Sequence, residues 1–247
     1  MAKFCANLSL LFTELPFLER FGAAKAAGFD AVEVLFPYDV AVPDMLGELA
    51  RLGLPLALIN CPPPNYTGGE RGFAALLGSR FQQDFKRSLR YAKALGAQHL
   101  HIMAGVAEGA EARACFVENL RWAAGFAPEQ SLTIEPINRD DMAGYFLCDF
   151  DEALAIIEEV GAPNLRLQFD AFHAQKITCD VLGTWGRVAE LVVHVQVGQT
   201  PHRTAPDQGD IDYGAFFKRL KVDGYKGWIS GEYTPADRTE LSLDWIT

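Results

Sequence analysis

Leu165-Arg166-Leu167-Gln168-Phe169-Asp170 is a short β-forming run that ends on a carboxylate. The pattern repeats through the second half of the chain. Leu132-Thr133-Ile134 ends at Glu135, Leu191-Val192-Val193-His194-Val195 ends at Gln196, and Trp228-Ile229-Ser230-Gly231 ends at Glu232. Working outward, similar runs stand at Phe4–Leu10, Ala31–Leu35, Pro55–Asn60 and His99–Met103, which makes eight candidate strands. Between them lie amphipathic segments near Phe17–Ala27, Pro43–Leu52, Phe81–Leu95, Ala110–Phe126, Asp149–Glu159, Val181–Ala189 and Tyr213–Lys221. Strands alternating with helical patterns of this length point to βαβ units on a parallel sheet. Shared over 247 residues, eight units of about 31 residues suit a (β/α)8 barrel. The expected architecture is therefore an α/β protein with one TIM barrel over residues 1–247. A doubly wound open sheet is the competitor.

Local chemistry supports these boundaries. Gly28, Gly53, Gly96 and Gly161 each follow a helical run, where a left-handed residue ends a helix. Asp149 or Asp151 is placed to cap the helix through Leu154 and Ile157. Phe81, Phe85, Leu89 and Ala92 form a core-facing stripe. Pro62-Pro63-Pro64-Asn65 and Gly68-Gly69 make Asn60–Gly72 an irregular loop.

Composition removes several function classes. Apolar residues make up 49 % of the chain, enough for a sizeable core. The net charge of −10, with no Lys/Arg cluster, argues against a nucleic-acid-gripping face or an anionic membrane surface as partner. No apolar run reaches a membrane span, and the N-terminal residues are too polar for a signal peptide. Cys5, Cys61, Cys115, Cys148 and Cys179 are scattered and lack C-x-x-C spacing, so the expected compartment is the reducing cytoplasm. Monomer and homodimer both remain open.

The four strand ends carry the chemistry. In a barrel the C-terminal ends of the strands converge on one face, where the active site sits. Glu135, Asp170, Gln196 and Glu232 then gather although 35, 26 and 36 residues separate them in sequence. A buried carboxylate must be paired, protonated or metal-bound. Three carboxylates and an amide oxygen are hard ligands, which favours Mg²⁺ or Mn²⁺ over Zn²⁺. The bland alternative is that each residue merely caps the turn that follows it. His173, three residues after Asp170, shares its pocket if the chain turns helical there. Arg203 reads equally as a partner for a carboxylate or as a surface arginine in a flexible loop. Glu70 and Arg71 read more simply as an ion pair. Of His99 and His101, one is expected to face the barrel interior, in a packing role. Gly105–Gly109 lacks a P-loop lysine, and Cys61 lacks an assigned histidine partner for nucleophilic catalysis.

The same residues lie in longer runs that resemble a known family. Ile134-Glu135-Pro136-Ile137-Asn138 with Asp141, Gly144, Tyr145 and Leu147, the segment Leu167-Gln168-Phe169-Asp170-Ala171-Phe172-His173-Ala174-Gln175, the run His194-Val195-Gln196-Val197 with Pro201 and Arg203, and Gly224-Tyr225-Lys226-Gly227-Trp228-Ile229-Ser230-Gly231-Glu232-Tyr233 resemble the signatures of hydroxypyruvate isomerase-like proteins. Asn7-Leu8-Ser9 and Gly69-Glu70-Arg71-Gly72 agree in the first half. The resemblance covers nearly the whole chain and places it among the xylose isomerase-like barrels. It implies an isomerase of a small hydroxy-keto acid, hydroxypyruvate or a 2-oxo-tetronate, with Glu135 and Glu232 as acid/base pair. It implies a divalent metal on Glu135, Asp170, Gln196 and Glu232, and substrate contacts from His173 and Arg203. A ketose 3-epimerase, or an inactive sugar-acid-binding barrel, is the alternative; the epimerases carry histidine where this chain has Gln196. After its arginine the family usually carries His-Glu, whereas this chain has Thr204-Ala205, in a loop expected to lie over the pocket.

Overall fold

Parallel strands cannot be joined by tight turns, so each needs a crossover segment, and here helices supply it. In the computed structural model, which describes residues 3–61 and 71–246, the order is β1 (Lys3–Asn7), α1 (Glu19–Ala26), β2 (Ala31–Glu33), α2 (Val42–Leu52), β3 (Leu58–Asn60), α3 (Arg80–Leu95), β4 (His99–His101), α4 (Gly109–Phe126), β5 (Ser131–Ile134), α5 (Phe150–Val160), β6 (Leu165–Asp170), α6 (Ala171–Thr178), α7 (Val181–Val188), β7 (Val192–Val197), α8 (Tyr213–Val222) and β8 (Trp228–Gly231). The strands pair in parallel in the order β2-β1-β8-β7-β6-β5-β4-β3. A bridge between Val32 and Leu56 joins the two remaining edges. Backbone bonds from Ala57 N to Val32 O (2.7 Å) and Val34 N to Leu58 O (3.1 Å) tighten that seam. The sheet thus curls into the expected barrel and leaves no strand edge open to other chains.

The helix ends follow the expected chemistry. Gly53, Gly96 and Gly161 end α2, α3 and α5 in the left-handed conformation, and Gly28 also has positive φ. Asp149 caps α5 by accepting from Glu152 N at 2.8 Å. Phe81, Phe85, Leu89 and Ala92 are all buried, as their helical spacing requires. The helix α6 was not among the expected segments. It starts directly on Asp170, whose carboxylate accepts from Phe172 N at 2.9 Å, and so extends the β6 strand end into a helix without a loop. The prolines and glycines of 62–69, and Glu70, lie outside the described residues.

Most of the hydrophobic core lies between sheet and helices. Trp185 on α7 packs edge-on against Phe169 of β6 (5.4 Å between centroids) and Phe216 of α8 (5.7 Å), and all three are buried. Inside the barrel the base is filled by small residues, Cys5, Ala31 and Ala57, against Trp228. Above that layer the interior turns polar.

Removing the Asp149 cap exposes an orphan N–H at the start of α5. Asp149→Ala should lower unfolding free energy by about 1 kcal/mol, read from urea denaturation midpoints. An unchanged midpoint would show that the cap is energetically idle.

Candidate active site

Side chains alternate along a strand, so residues two apart share a face. Gln168 and Asp170 on β6, His194 and Gln196 on β7, and Ser230 on β8 point inward together with Glu232, which follows β8, and Glu135, which follows β5. Register aligns Gln168 with His194, Asp170 with Gln196, and Gln196 with Ser230. Glu135, Asp170, Gln196 and Glu232 are all buried, none exposing more than 8 %. Beside them lies a cavity of about 180 Å³ lined by Glu135, Gln168, His173, Gln196, Arg203 and Glu232, together with Leu35, Asn60, Arg71, His101 and Met103. A larger groove of about 800 Å³ runs beside the β7–α8 loop and the C-terminal segment. Thr204 and Ala205 line that groove rather than the central cavity, so the loop expected over the pocket lies beside it.

Arg203 is the cation of the cluster. Its Nη2 donates to Asp170 Oδ2 and lies 3.2 Å from Glu232 Oε1, while its Nε donates to the Glu232 carbonyl at 3.0 Å. The guanidinium stacks over Phe172 at 4.7 Å. Burial works against its charge, but Asp170, Glu232 and Glu135 together raise its pKa. Even so, one guanidinium does not offset three buried carboxylates. Burial raises the Glu135 pKa well above the ordinary range, and repulsion from Asp170 and Glu232 adds to it. Burial also raises Asp170, against the opposing pull of Arg203. Glu232 is pushed up to about 8 by burial, again against Arg203. Burial, then Arg203, drives the His173 pKa well below its usual value, so this imidazole is neutral. Its Nδ1 lies 2.7 Å from Asn138 Nδ2 and its Nε2 3.6 Å from Asp170 Oδ2, the neighbourhood that α6 creates.

Several residues that shape the site carried no weight in the sequence reading. Gln168 Nε2 donates both to Glu135 Oε2 (3.0 Å) and to Gln196 Oε1 (2.7 Å), tying two of the strand ends together. Glu33 on β2 is fully buried. Its Oε1 accepts from Asn7 Nδ2 (2.8 Å) and Gln196 Nε2 (2.9 Å), and its Oε2 meets His194 Nε2 at 2.5 Å. Glu33 therefore holds the nitrogen end of the Gln196 amide and turns the oxygen toward Gln168. The missed signal was polarity at every second strand position, which marks an inward polar row. The same rule corrects the reading of β4, where His99 and His101 are two apart and both face inward. His99 lies 5.8 Å from the His194 ring, and His101 Nε2 lies 3.7 Å from Glu135 Oε2. Burial, with His194 adding, lowers each to about 3, so both are neutral. Cys61 is a buried thiol pushed up to about 12 by desolvation, no state for a nucleophile.

Carboxylates that repel one another in a closed cavity invite a cation. Among the described residues, Glu135, Asp170 and His173 form a group whose ligand atoms lie within 4.8 Å of one another, which could hold a metal ion. Glu135 Oε1 is buried without a hydrogen-bond partner. A charged acceptor left so is costly unless something positive meets it, and the donor set fits a divalent ion. Gln196 and Glu232 line the same cavity, engaged by Gln168, Glu33 and Arg203.

The model of the xylose isomerase-like TIM barrel family matches residues 21–247. The chain belongs to the xylose isomerase-like TIM barrel family. Within this family it is 43 % identical over 254 residues to a 2-oxo-tetronate isomerase of Cupriavidus necator, covering 100 % of this chain and 98 % of that protein. To the hydroxypyruvate isomerase of Escherichia coli it is 37 % identical over 254 residues, with the same coverage. The crystal structure of an AP endonuclease, family 2, from Brucella melitensis superposes with a TM-score of 0.96 at 39 % identity, covering 100 % of this chain and 98 % of that one. An Escherichia coli 3-keto-D-glucoside 4-epimerase at 18 % identity and TM-score 0.80 shares the fold alone. Among the described residues no helix is long and apolar enough to cross a membrane.

The raised Glu232 pKa has a stability consequence with a definite sign. The folded chain holds this proton up to about 8, against an ordinary 4.5. The contribution is complete below 4.5 and is lost as pH climbs through 8. With a chelator present, thermal melts should fall across that window, and Glu232→Gln should flatten the fall. A decline of equal slope in the variant would remove Glu232 as its source.

Proposed function

We propose that this chain is an aldose–ketose isomerase of a small hydroxy-keto acid, converting hydroxypyruvate to tartronate semialdehyde or acting on the 2-oxo-tetronate analogue. The observation that carries the reading is the convergence of Glu135 and Glu232 on one small cavity, where burial raises both pKa values, that of Glu232 to about 8. A base is most effective when its pKa lies near the working pH, and a free glutamate is too weak. The full-length likeness to proteins named for these two reactions supports the substrate class. A cavity of about 180 Å³ suits a small acid of three or four carbons.

Glu135 and Glu232 are the acid/base pair. One removes the proton from the hydroxymethyl carbon next to the carbonyl, leaving an enediolate. The proton returns to the former carbonyl carbon, while the hydroxyl proton passes from one substrate oxygen to the other. His173, held neutral, and Arg203 stand beside Asp170 and Glu232 to contact the substrate oxygens. Glu135 and Asp170, with His173, Gln196 and Glu232 around the same cavity, would hold a divalent ion, for which an oxygen-rich set favours magnesium or manganese. Such an ion supplies Lewis-acid stabilisation of the developing oxyanion. Gln168 and Glu33 keep these groups in place. A reducing cytoplasm suits the five free cysteines, and a monomer or homodimer suits a site built from one chain.

Glu135→Gln and Glu232→Gln should each lower kcat on the preferred keto acid by at least about 100-fold. Solvent deuterium incorporation, followed by NMR, should fall with it. Unimpaired turnover in both variants would overturn the roles. A chelator should abolish turnover of the wild type, and magnesium or manganese should restore it; full activity in the chelator would remove the metal from the proposal.

A further inference from the structure

A small keto acid carries its own carboxylate, and the carboxyl groups of Glu135 and Glu232 line the cavity that would receive it. The proposed reaction therefore needs a cation that those carboxylates have not already claimed. Arg203 is not that cation: Asp170, Glu232 and the Glu232 carbonyl take up its Nη2 and Nε, and its Nη1 stands 3.3 Å from His173 Nε2. Arg71 lines the same cavity, with Leu35, Asn60 and Met103 from the β2–β4 half of the barrel. It forms no ion pair among the described residues, and its guanidinium rests over the Phe36 ring at 5.9 Å.

The backbone that presents Arg71 is fixed by close approach. Gly72, at φ +89°, bridges Ala104, and a Cβ there would meet Met103 O at 2.2 Å. On the facing segment Gly105 has φ +96°, and its Cβ would meet Gly72 O at 2.6 Å. Only paired glycines let the two segments touch this closely. Ala75 N donates to Ala104 O at 2.8 Å, and Ala104 N to Tyr145 Oη at 2.8 Å. The seam holds Arg71 at the cavity while its side chain stays exposed and uncommitted.

We infer that Arg71 is the residue that receives the substrate carboxylate, so that it, and not Arg203, selects keto acids over neutral ketoses. The inference rests on the proposed function and adds the residue that sets its substrate class. A guanidinium fork matches a carboxylate in two parallel hydrogen bonds. It holds the charged end of the substrate toward β2–β4 and the reacting carbons toward Glu135 and Glu232.

The test uses Arg71→Gln and Arg71→Lys. Arg71→Gln should raise KM for hydroxypyruvate at least tenfold with kcat within threefold of wild type, and Arg71→Lys should recover part of the loss. Calorimetric titration with glycerate, which keeps the carboxylate but has no carbonyl to isomerise, should show weaker binding to Arg71→Gln by a similar factor. Glycerol should bind both proteins equally. Thermal melts of both variants should match the wild type, because the side chain is exposed. Glycerate binding unchanged by Arg71→Gln, or absent from the wild type, overturns the inference. If the wild type turns over no keto acid, the proposed function fails, while the glycerate titration still decides the role of Arg71.

Discussion

The burial of three neighbouring carboxylates governs the upper end of this barrel. Glu135, Asp170 and Glu232 are all drawn out of water, and among the described residues closing on them Arg203 brings a full positive charge to Asp170 and Glu232. Two charges within a few ångströms interact far more strongly in such surroundings than in water. The site answers in the way available to it without a cation, by holding its protons more tightly. The property that makes the cluster expensive is the one that makes it useful. It raises the pKa values of both glutamates and of Asp170, and it creates a standing demand for positive charge.

The rest of the interior keeps that tension in a fixed geometry. Gln168 bridges Glu135 and Gln196, and Glu33 ties Gln196 to Asn7 and His194. Gln168, Gln196 and Glu33 are each held by their neighbours, so this part of the polar row costs less than its burial suggests. The apolar core is displaced to the outside of the sheet, where Trp185, Phe169 and Phe216 lock helix to strand. A barrel whose inner layer were apolar would be easier to stabilise but could not hold three carboxylates in register. At the far wall the glycine seam at 72 and 105 is a second rigid element, since two backbones in contact cannot drift as flexible side chains can.

Much of this was legible before any coordinates. Eight β-rich runs separated by amphipathic segments identify a barrel, because both periods report burial directly. The polar ends of β5 to β8 mark the candidate site, because strand ends in a barrel share one face. What escaped was what depends on contact across the barrel. Gln168 looks like an ordinary polar residue within β6 until β5 and β7 are set on either side of it. Glu33 lies 163 residues from the Gln196 amide it orients. The helix α6 was missed because it begins on the very residue that ends the strand, leaving no loop signal between them.

Periodicity, strand count and the kind of side chain at each strand end were therefore set by the sequence alone, because they depend on near neighbours along the chain. The partners were not. Arg203 between Asp170 and Glu232, Gln168 between Glu135 and Gln196, and Arg71 at the same cavity are consequences of which strands face each other once the sheet has closed. A charge has no defined pKa or partner until the surrounding dielectric and neighbours exist, and only the closed barrel provides them.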